Sequence, residues 1–87
     1  MITHELRIER PFFEAVKSGE KTFELRQNDR GFQKGDRLLL KEIDDIKILT
    51  GRGIFVEVTY ILNGWGLLDG FVAMAIKRIE PAEGSDE

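Results

Sequence analysis

The sequence contains no cysteine, a single histidine and only two prolines among its 87 residues. Without cysteine, disulfide bridges and thiolate-bound metal sites are excluded. One histidine is too few for a multi-histidine metal site, and the carboxylates do not have the spacing of an EF-hand calcium loop. The sequence therefore predicts a protein that carries no metal and no cofactor.

Long apolar runs are absent as well, and no segment is long enough to cross a lipid bilayer. Residues 1–7 lack the basic start and the apolar stretch of a secretory signal. We therefore expect a cytoplasmic protein that does not enter a membrane. The length suits one domain with a core of marginal size, and we expect it to be a monomer.

Acidic residues are unevenly distributed along the chain, whose formal net charge is -3. Four of the 16 acidic residues lie in residues 80–87, which contain no basic residue, so residues 1–79 hold 12 acidic and 13 basic residues. We predict a folded domain over residues 1–79 and an acidic disordered tail over residues 80–87. The nearly neutral domain argues against a long footprint on duplex nucleic acid, but a compact site for one or a few nucleotides is compatible with it.

The hydrophobic pattern predicts five short strands, at residues 4–9, 22–26, 37–43, 54–62 and 71–79. A short helix is predicted between the first two strands, because Pro11 suits a first helical turn and Gly19 is typical of a helix C-terminus. Together these elements predict an α+β domain. Its expected form is a curled, partly closed barrel with the helix over an open end.

The second predicted strand carries most of the candidate chemistry. Its period of two is expected to turn Phe23 and Leu25 towards the core, and to leave a polar row that faces solvent or a cleft: Thr22, Glu24 and Arg26. Lys21 has the wrong parity for this row, so it joins only if the strand begins after it and the turn at Gly19 lets its side chain swing round. On residue chemistry alone, a surface ion pair worth ~0–1 kcal/mol and without function is the simpler interpretation.

The aromatic residues are predicted mainly as structural. By parity and spacing we assign five of them to the core or to the rim of the barrel: Phe12, Phe13, Phe23, Phe55 and Tyr60. Phe32 is expected to anchor the loop after the second strand. Trp65 lies between two glycines in a loop, where it either stacks on a base or caps the end of the barrel. His4 shares the parity of the first strand's apolar residues, so we expect a packed or edge residue rather than a catalytic one.

A family resemblance becomes visible at residues 19–26, Gly-Glu-Lys-Thr-Phe-Glu-Leu-Arg. This stretch resembles G-x-K-x-x-E-x-R, the signature of the ASCH domains, which are small β-barrels of the PUA-like superfamily. Residues 4–8, 12–16, 32–36 and 69–72 further resemble a bacterial and phage branch of that superfamily that is known only as a domain of unknown function. The likeness extends over residues 4–79.

The resemblance implies a cleft between helix and barrel that is lined by Lys21, Glu24 and Arg26 and binds RNA or a nucleotide-like ligand. The chemistry of these residues fits that role. Lysine and arginine donate hydrogen bonds to a phosphate or a carboxylate, and a glutamate accepts from a base amine or a ribose hydroxyl. We place three further residues at the periphery of the expected site: Asn28, Arg30 and Trp65.

Some small ASCH proteins are amidohydrolases that deacetylate N4-acetylcytidine, and this chain is similar to them at the motif glycine and lysine. In those enzymes a threonine nucleophile stands where Glu24 stands here, and a second carboxylate comes from a helical insertion in place of residues 63–69. Both departures favour binding over catalysis. A rearranged site is still conceivable, with Lys21 polarising a carbonyl, Glu24 as base and Thr22 as nucleophile.

A third alternative is a protein-interaction module whose polar row is merely solvated. The sequence does not decide between these functions, nor between RNA, a free nucleotide and a modified nucleoside as the ligand.

Overall fold

Five β-strands and one short α-helix make up residues 1–79, the part of the chain that the computed structural model describes. In chain order these are β1 (Thr3–Glu9), α1 (Arg10–Ser18), β2 (Phe23–Gln27), β3 (Arg37–Ile43), β4 (Leu49–Asn63) and β5 (Phe71–Arg78). The prediction of an α+β domain with five strands and one early helix is confirmed. The tail predicted for residues 80–87 lies outside the described residues.

The strands form a single curled, mixed sheet in the order β1-β3-β4-β5-β2. β1 runs parallel to β3, whereas the other neighbouring pairs are antiparallel. β1 and β2 are therefore the two edge strands. The curl makes a half-barrel in which these edges face each other across a gap, which we call the seam.

The hydrophobic core lies between the concave face of the sheet and the helix. Alternate residues of the strands point inwards, and five of them are completely buried: Leu38, Leu40, Val56, Val58 and Met74. Phe32, in the loop between β2 and β3, is also buried, so its predicted role as the anchor of that loop is confirmed.

Helix α1 begins and ends as its sequence predicts. Pro11 occupies the first turn, where the missing N–H costs no hydrogen bond. The helix stops at Gly19, whose φ of 87° is a left-handed conformation that glycine adopts without steric strain. Phe13 and Val16, one turn apart, are buried against the sheet.

A buried carboxylate fastens the helix to the β3–β4 hairpin. Glu42 is 1% exposed and accepts hydrogen bonds from Arg52 at both oxygens, each at 2.9 Å, and from the hydroxyl of Thr50 at 2.6 Å. Arg52 also donates to Glu14 on the helix, and its guanidinium lies 4.8 Å from the ring centroid of Phe13. The hydrogen bonds from Arg52 and Thr50 lower the pKa of Glu42 to about 2.

His4 is a packed residue, as expected. Its Nε2 lies 2.8 Å from Oδ2 of Asp36, and its ring meets the edge of Phe32 at a centroid distance of 4.8 Å. Burial raises the pKa of Asp36, but hydrogen bonds from His4 and from the amides of Ile2 and Gln33 together outweigh burial and lower it. This cluster ties the start of β1 to the loop before β3.

The core assignment of most aromatic residues is wrong. Phe13 is buried, but Phe12, Phe55 and Tyr60 are 50%, 47% and 60% exposed. Tyr60 changes face because β4 has an irregularity opposite β5, where the register shifts between Val58 and Tyr60. One extra residue in a strand reverses the alternation that follows it, so the parity of the sequence pattern no longer tells which face Tyr60 occupies.

Candidate functional site

The three motif residues come together around one carboxylate. Oε1 of Glu24 accepts a hydrogen bond from Nζ of Lys21 at 2.7 Å, and Oε2 accepts one from Nε of Arg26 at 2.8 Å. Glu24 is only 3% exposed, while both cations remain partly open to solvent. The group as a whole carries one net positive charge.

Lys21 enters this group because the chain turns sharply after the helix. Its backbone N–H donates to the carbonyl of Ala15 at 2.9 Å, beside the left-handed Gly19, and β2 begins only at Phe23. Its Nζ donates to the carbonyl of Phe23 at 2.6 Å as well as to Glu24. Lys21 was expected to join the polar row only if the strand begins after it, and the structure meets this condition.

The predicted orientation of β2 is wrong. Phe23 and Leu25 are about half exposed, and Glu24 between them is buried. The reason is that β2 is an edge strand whose inward side faces a charged pocket as well as apolar core. Two cations compensate the charge of Glu24, which makes the burial of a carboxylate tolerable at that position.

Arginine side chains bridge the seam. The guanidinium of Arg26 donates through one terminal nitrogen to the backbone carbonyl of Arg7 at 2.8 Å, and that of Arg30 donates to the carbonyl of Glu5 at 3.0 Å. Both carbonyls belong to β1, whose strand partner is β3 on its other side. The arginines thus occupy backbone acceptors that an edge strand otherwise leaves to solvent.

A cavity of about 440 Å³ opens along the seam, beside the first turn of the helix. We call it the cleft. It contains the motif residues Lys21, Glu24 and Arg26, and it is further lined by Arg7 from β1 and by two aromatic rings, Phe12 and Phe23. A cavity of this volume matches the usual size of small-molecule sites in proteins.

The two phenylalanines are site candidates that the sequence analysis missed. Both are about half exposed, and Nζ of Lys21 lies 5.7 Å from the ring centroid of Phe12 and 4.8 Å from that of Phe23. These distances permit cation–π attraction, which helps to hold the lysine between the rings. The sequence did contain one signal for Phe23. Its neighbour Glu24 has two cations close by in the chain, and a glutamate that is compensated in this way is able to face inwards, which leaves Phe23 on the outer side.

The electrostatics of the cleft favour an anion. Besides Glu24, the acidic residue of the lining is Glu9, which accepts a hydrogen bond from Lys47 at 2.8 Å, and this contact lowers its pKa. Three cations line the same cavity: Arg7, Lys21 and Arg26. Within residues 1–79 the guanidinium of Arg7 forms no ion pair and no hydrogen bond, so its donors are available to a ligand.

The peripheral candidates lie apart from the cleft. Oδ1 of Asn28 accepts a hydrogen bond from the backbone amide of Phe32 at 2.9 Å, and Asn28 borders another cavity, between the loops. Trp65 is 89% exposed in the loop between β4 and β5 and does not line the cleft. Arg30 reaches the seam, but only through its contact with the carbonyl of Glu5.

Thr22 is separated from Glu24, its proposed catalytic base. It is exposed and borders a third cavity, at the C-terminal end of α1, which Lys21 also lines, whereas Glu24 lines the cleft. Its backbone carbonyl accepts a hydrogen bond from the amide of Ile76, next to the first β2–β5 residue pair. The threonine, lysine and glutamate therefore do not converge on one cavity.

Two further observations concern metals and membranes. Within residues 1–79, no three histidine, aspartate or glutamate side chains lie close enough together to hold a metal ion. The helix of the described region has nine residues, and nothing in that region is a helix of the length and apolarity needed to cross a membrane.

The fold and the cleft define a small half-barrel domain with a cation-rich pocket at its seam. Residues 3–76 match a family described as a domain of unknown function, DUF3850, and the chain belongs to this family. It is similar to a protein of Escherichia phage P2, described as an uncharacterized 12.9 kDa protein in the GpA 3'region. The two are 30% identical over 71 residues, which are 82% of this chain and 64% of the phage protein.

Proposed function

We propose that this protein is an ASCH/PUA-like module that binds RNA or a nucleotide-like ligand in the cleft. The observation that carries the proposal is the combination of three cations with two half-exposed phenylalanine rings around one cavity. A nucleotide has matching parts, because its phosphate accepts charge-assisted hydrogen bonds and its base is a flat ring that packs on aromatic side chains.

The cations divide into a fixed pair and a free one. Lys21 and Arg26 are held in place by Glu24, so they present their remaining donors without first losing side-chain freedom. Arg7 stands exposed on the other wall of the cleft. We assign phosphate contact to Arg7 and Arg26 and base packing to Phe12 and Phe23. Glu24 acts by positioning, since its burial leaves little access to a ligand.

The alternatives receive less support. An amidohydrolase built on Thr22 needs this hydroxyl beside the Lys21–Glu24 pair, but the threonine borders a cavity that Lys21 lines and Glu24 does not. A protein-interaction module with a merely solvated polar row is weakened by the burial of Glu24. The half-exposed rings in the cleft also favour a small planar ligand, because they offer it a contact surface that a solvated ion pair does not.

The test is a titration with mononucleotides and short single-stranded RNAs, followed by calorimetry or by NMR amide shifts. Arg7→Ala is the informative variant, because its exposed side chain forms no hydrogen bond and no ion pair within residues 1–79, so we expect the variant to fold. We expect it to weaken binding about tenfold, the value of one charge-assisted hydrogen bond.

Arg37→Ala is the matched control, since Arg37 is also an exposed arginine, on the neighbouring strand β3, and does not line the cleft. We expect this variant to bind as the wild type does. If the wild type and both variants bind with equal affinity, the cleft is not the binding site. The absence of saturable binding for every nucleotide in the panel would refute it altogether.

A further inference from the structure

The convex face of the sheet carries apolar side chains that the core does not use. In the pairing of β2, β5 and β4, Phe23 lies opposite Ala75, which lies opposite Tyr60. Directly paired residues project from the same face, so these three form one row. The next row along the strands is formed in the same way by Leu25, Ala73 and Leu62. We call these six residues the outer band.

The outer band is open to solvent. Phe23, Leu25 and Tyr60 are 51%, 52% and 60% exposed, and the other three members are partly exposed. Tyr60 stands on this face only because the register of β4 shifts after Val58. A contiguous apolar surface on a small protein commonly marks an interaction site, whereas isolated exposed apolar residues need no explanation.

The shape of the band suits a flat ligand. Ala73 and Ala75 lie on β5, between β2 and β4, and their small side chains leave a shallow floor between the rings of Phe23 and Tyr60. These two rings are two strand spacings, about 10 Å, apart. The two rows are separated by about 7 Å along the strands. A floor of about 10 Å by about 7 Å accommodates nucleobases, whereas a stable protein interface buries ~800 Å² on each partner.

The band is continuous with the cleft. Phe23 and Leu25 belong to both surfaces, because β2 presents them at the seam. Cations border the band at one end, beyond its first row, with Lys21 in contact with the ring of Phe23 and with Lys77 exposed on β5, two residues after Ala75. Lys77 faces Glu57 in the β4–β5 register but forms no ion pair within residues 1–79. A polyanionic strand leaving the cleft therefore meets a lysine at the edge of the band.

We infer that the outer band is a second subsite, on which bases of a single-stranded RNA stack as the strand continues out of the cleft. The inference rests on the proposed function, and it narrows the ligand to an oligonucleotide rather than a mononucleotide. Tyr60 provides the stacking ring farthest from the cleft. Aromatic rings on an exposed sheet surface are a common way of holding unpaired bases.

The experiment compares a mononucleotide with single-stranded hexanucleotides, measured by calorimetry against the wild type, Tyr60→Ala, Phe55→Ala and Arg7→Ala. Phe55→Ala is the matched control, because Phe55 is an aromatic residue of similar exposure on β4 that pairs with Leu39, away from the band. We expect Tyr60→Ala to weaken hexanucleotide binding about tenfold and to leave mononucleotide binding unchanged. Phe55→Ala should change neither affinity. Unchanged melting temperatures establish that both variants are folded.

The outcomes separate this inference from the proposed function. If Tyr60→Ala binds the hexanucleotides as the wild type does while Arg7→Ala loses affinity, the outer band is not a subsite and the cleft is. If Tyr60→Ala loses affinity and Arg7→Ala does not, the band holds RNA and the cleft does not. Equal losses for Tyr60→Ala and Phe55→Ala overturn the inference. Self-association of the wild type that Tyr60→Ala abolishes, without nucleotide binding, assigns the band to a second copy of the chain and also overturns it.

Discussion

Glu24 illustrates how one residue organises a site without being accessible to a ligand. Its two carboxylate oxygens each accept a hydrogen bond from a different cation, and of these Lys21 precedes β2 while Arg26 lies near its end. Because the carboxylate is nearly completely buried, the geometry of Lys21 and Arg26 depends on its charge. The consequence is that a substitution at Glu24 acts on stability and on binding together.

Glu24→Gln tests this dependence. An amide has only one acceptor oxygen, so its NH2 group would face an N–H donor of Lys21 or Arg26 and leave a partly buried cation unpaired. We expect the variant to lose about 2 kcal/mol of unfolding free energy in urea titrations. Glu57→Gln, an exposed glutamate on β4, is the control and should stay within about 0.5 kcal/mol of the wild type. A loss of the same size in both variants would contradict the positioning role.

At the scale of single residues, the sequence was informative about chemistry and less so about direction. Lys21, Glu24 and Arg26 were found through a family signature, and the structure brings them together. Helical spacing assigns Phe12 to the core and strand parity assigns Phe23 to it, but both rings are half exposed. A periodic pattern shows which residues share a face, but for an edge strand it does not show which face is the inner one.

Among the elements, the helix and the β3–β4 hairpin are joined by a network of ion pairs. Glu42 and Arg52 on the hairpin form a two-point ion pair, and Arg52 extends it to Glu14 on α1. The pKa of Glu42 is lowered to about 2, mainly by the hydrogen bond from Arg52. A depressed carboxylate pKa means that the folded state holds the proton less tightly than the unfolded chain does.

This linkage predicts acid sensitivity with a definite range. The contribution of Glu42 is fully present above its ordinary pKa of 4.5 and is lost as the pH falls towards about 2. We expect the unfolding free energy of Glu42→Gln to fall less steeply than that of the wild type between these values. The unfolding free energy of the variant should still decline somewhat, since the pKa of Asp36 and that of Glu9 are lowered too. Parallel curves for the two proteins in urea titrations at stepped pH would contradict the linkage.

The elements themselves were largely predictable, because their signals are local. Pro11 and Gly19 delimit the helix, and the alternation in β1 and β5 matches their burial. The irregularity after Val58 was not predictable from the sequence. An extra residue in a strand leaves the composition of the strand and the periodicity of the preceding residues unchanged. The order of the strands was likewise out of reach, because it depends on pairings between distant parts of the chain.

For the molecule as a whole, charge balance limits the kind of nucleic acid contact that we propose. Residues 1–79 carry almost equal numbers of acidic and basic residues, and several of the ion pairs are internal. The cations that line the cleft suffice for about two phosphates. A single-stranded ligand with two phosphate contacts has a slope of about -1.4 in a plot of log affinity against log salt.

We therefore expect hexanucleotide affinity to fall about sevenfold between 50 and 200 mM salt, a modest dependence. Arg7→Ala should reduce the magnitude of the slope by about 0.7, the share of one phosphate contact. Fluorescence anisotropy titrations at four salt concentrations measure both values. A slope steeper than about -4 would instead indicate a long backbone footprint and would contradict a compact cleft.

The strand order also determines when the cleft comes into existence during folding. β3, β4 and β5 follow one another as hairpins, whereas Thr3 of β1 must find Arg37, and Phe23 of β2 must find Ala75. Closing such long loops is slow compared with forming a hairpin, so we expect the central meander to assemble first and the two edge strands to dock last. Because the seam exists only after both have docked, a ligand that requires Arg7 and Arg26 together recognises the chain only once folding is complete.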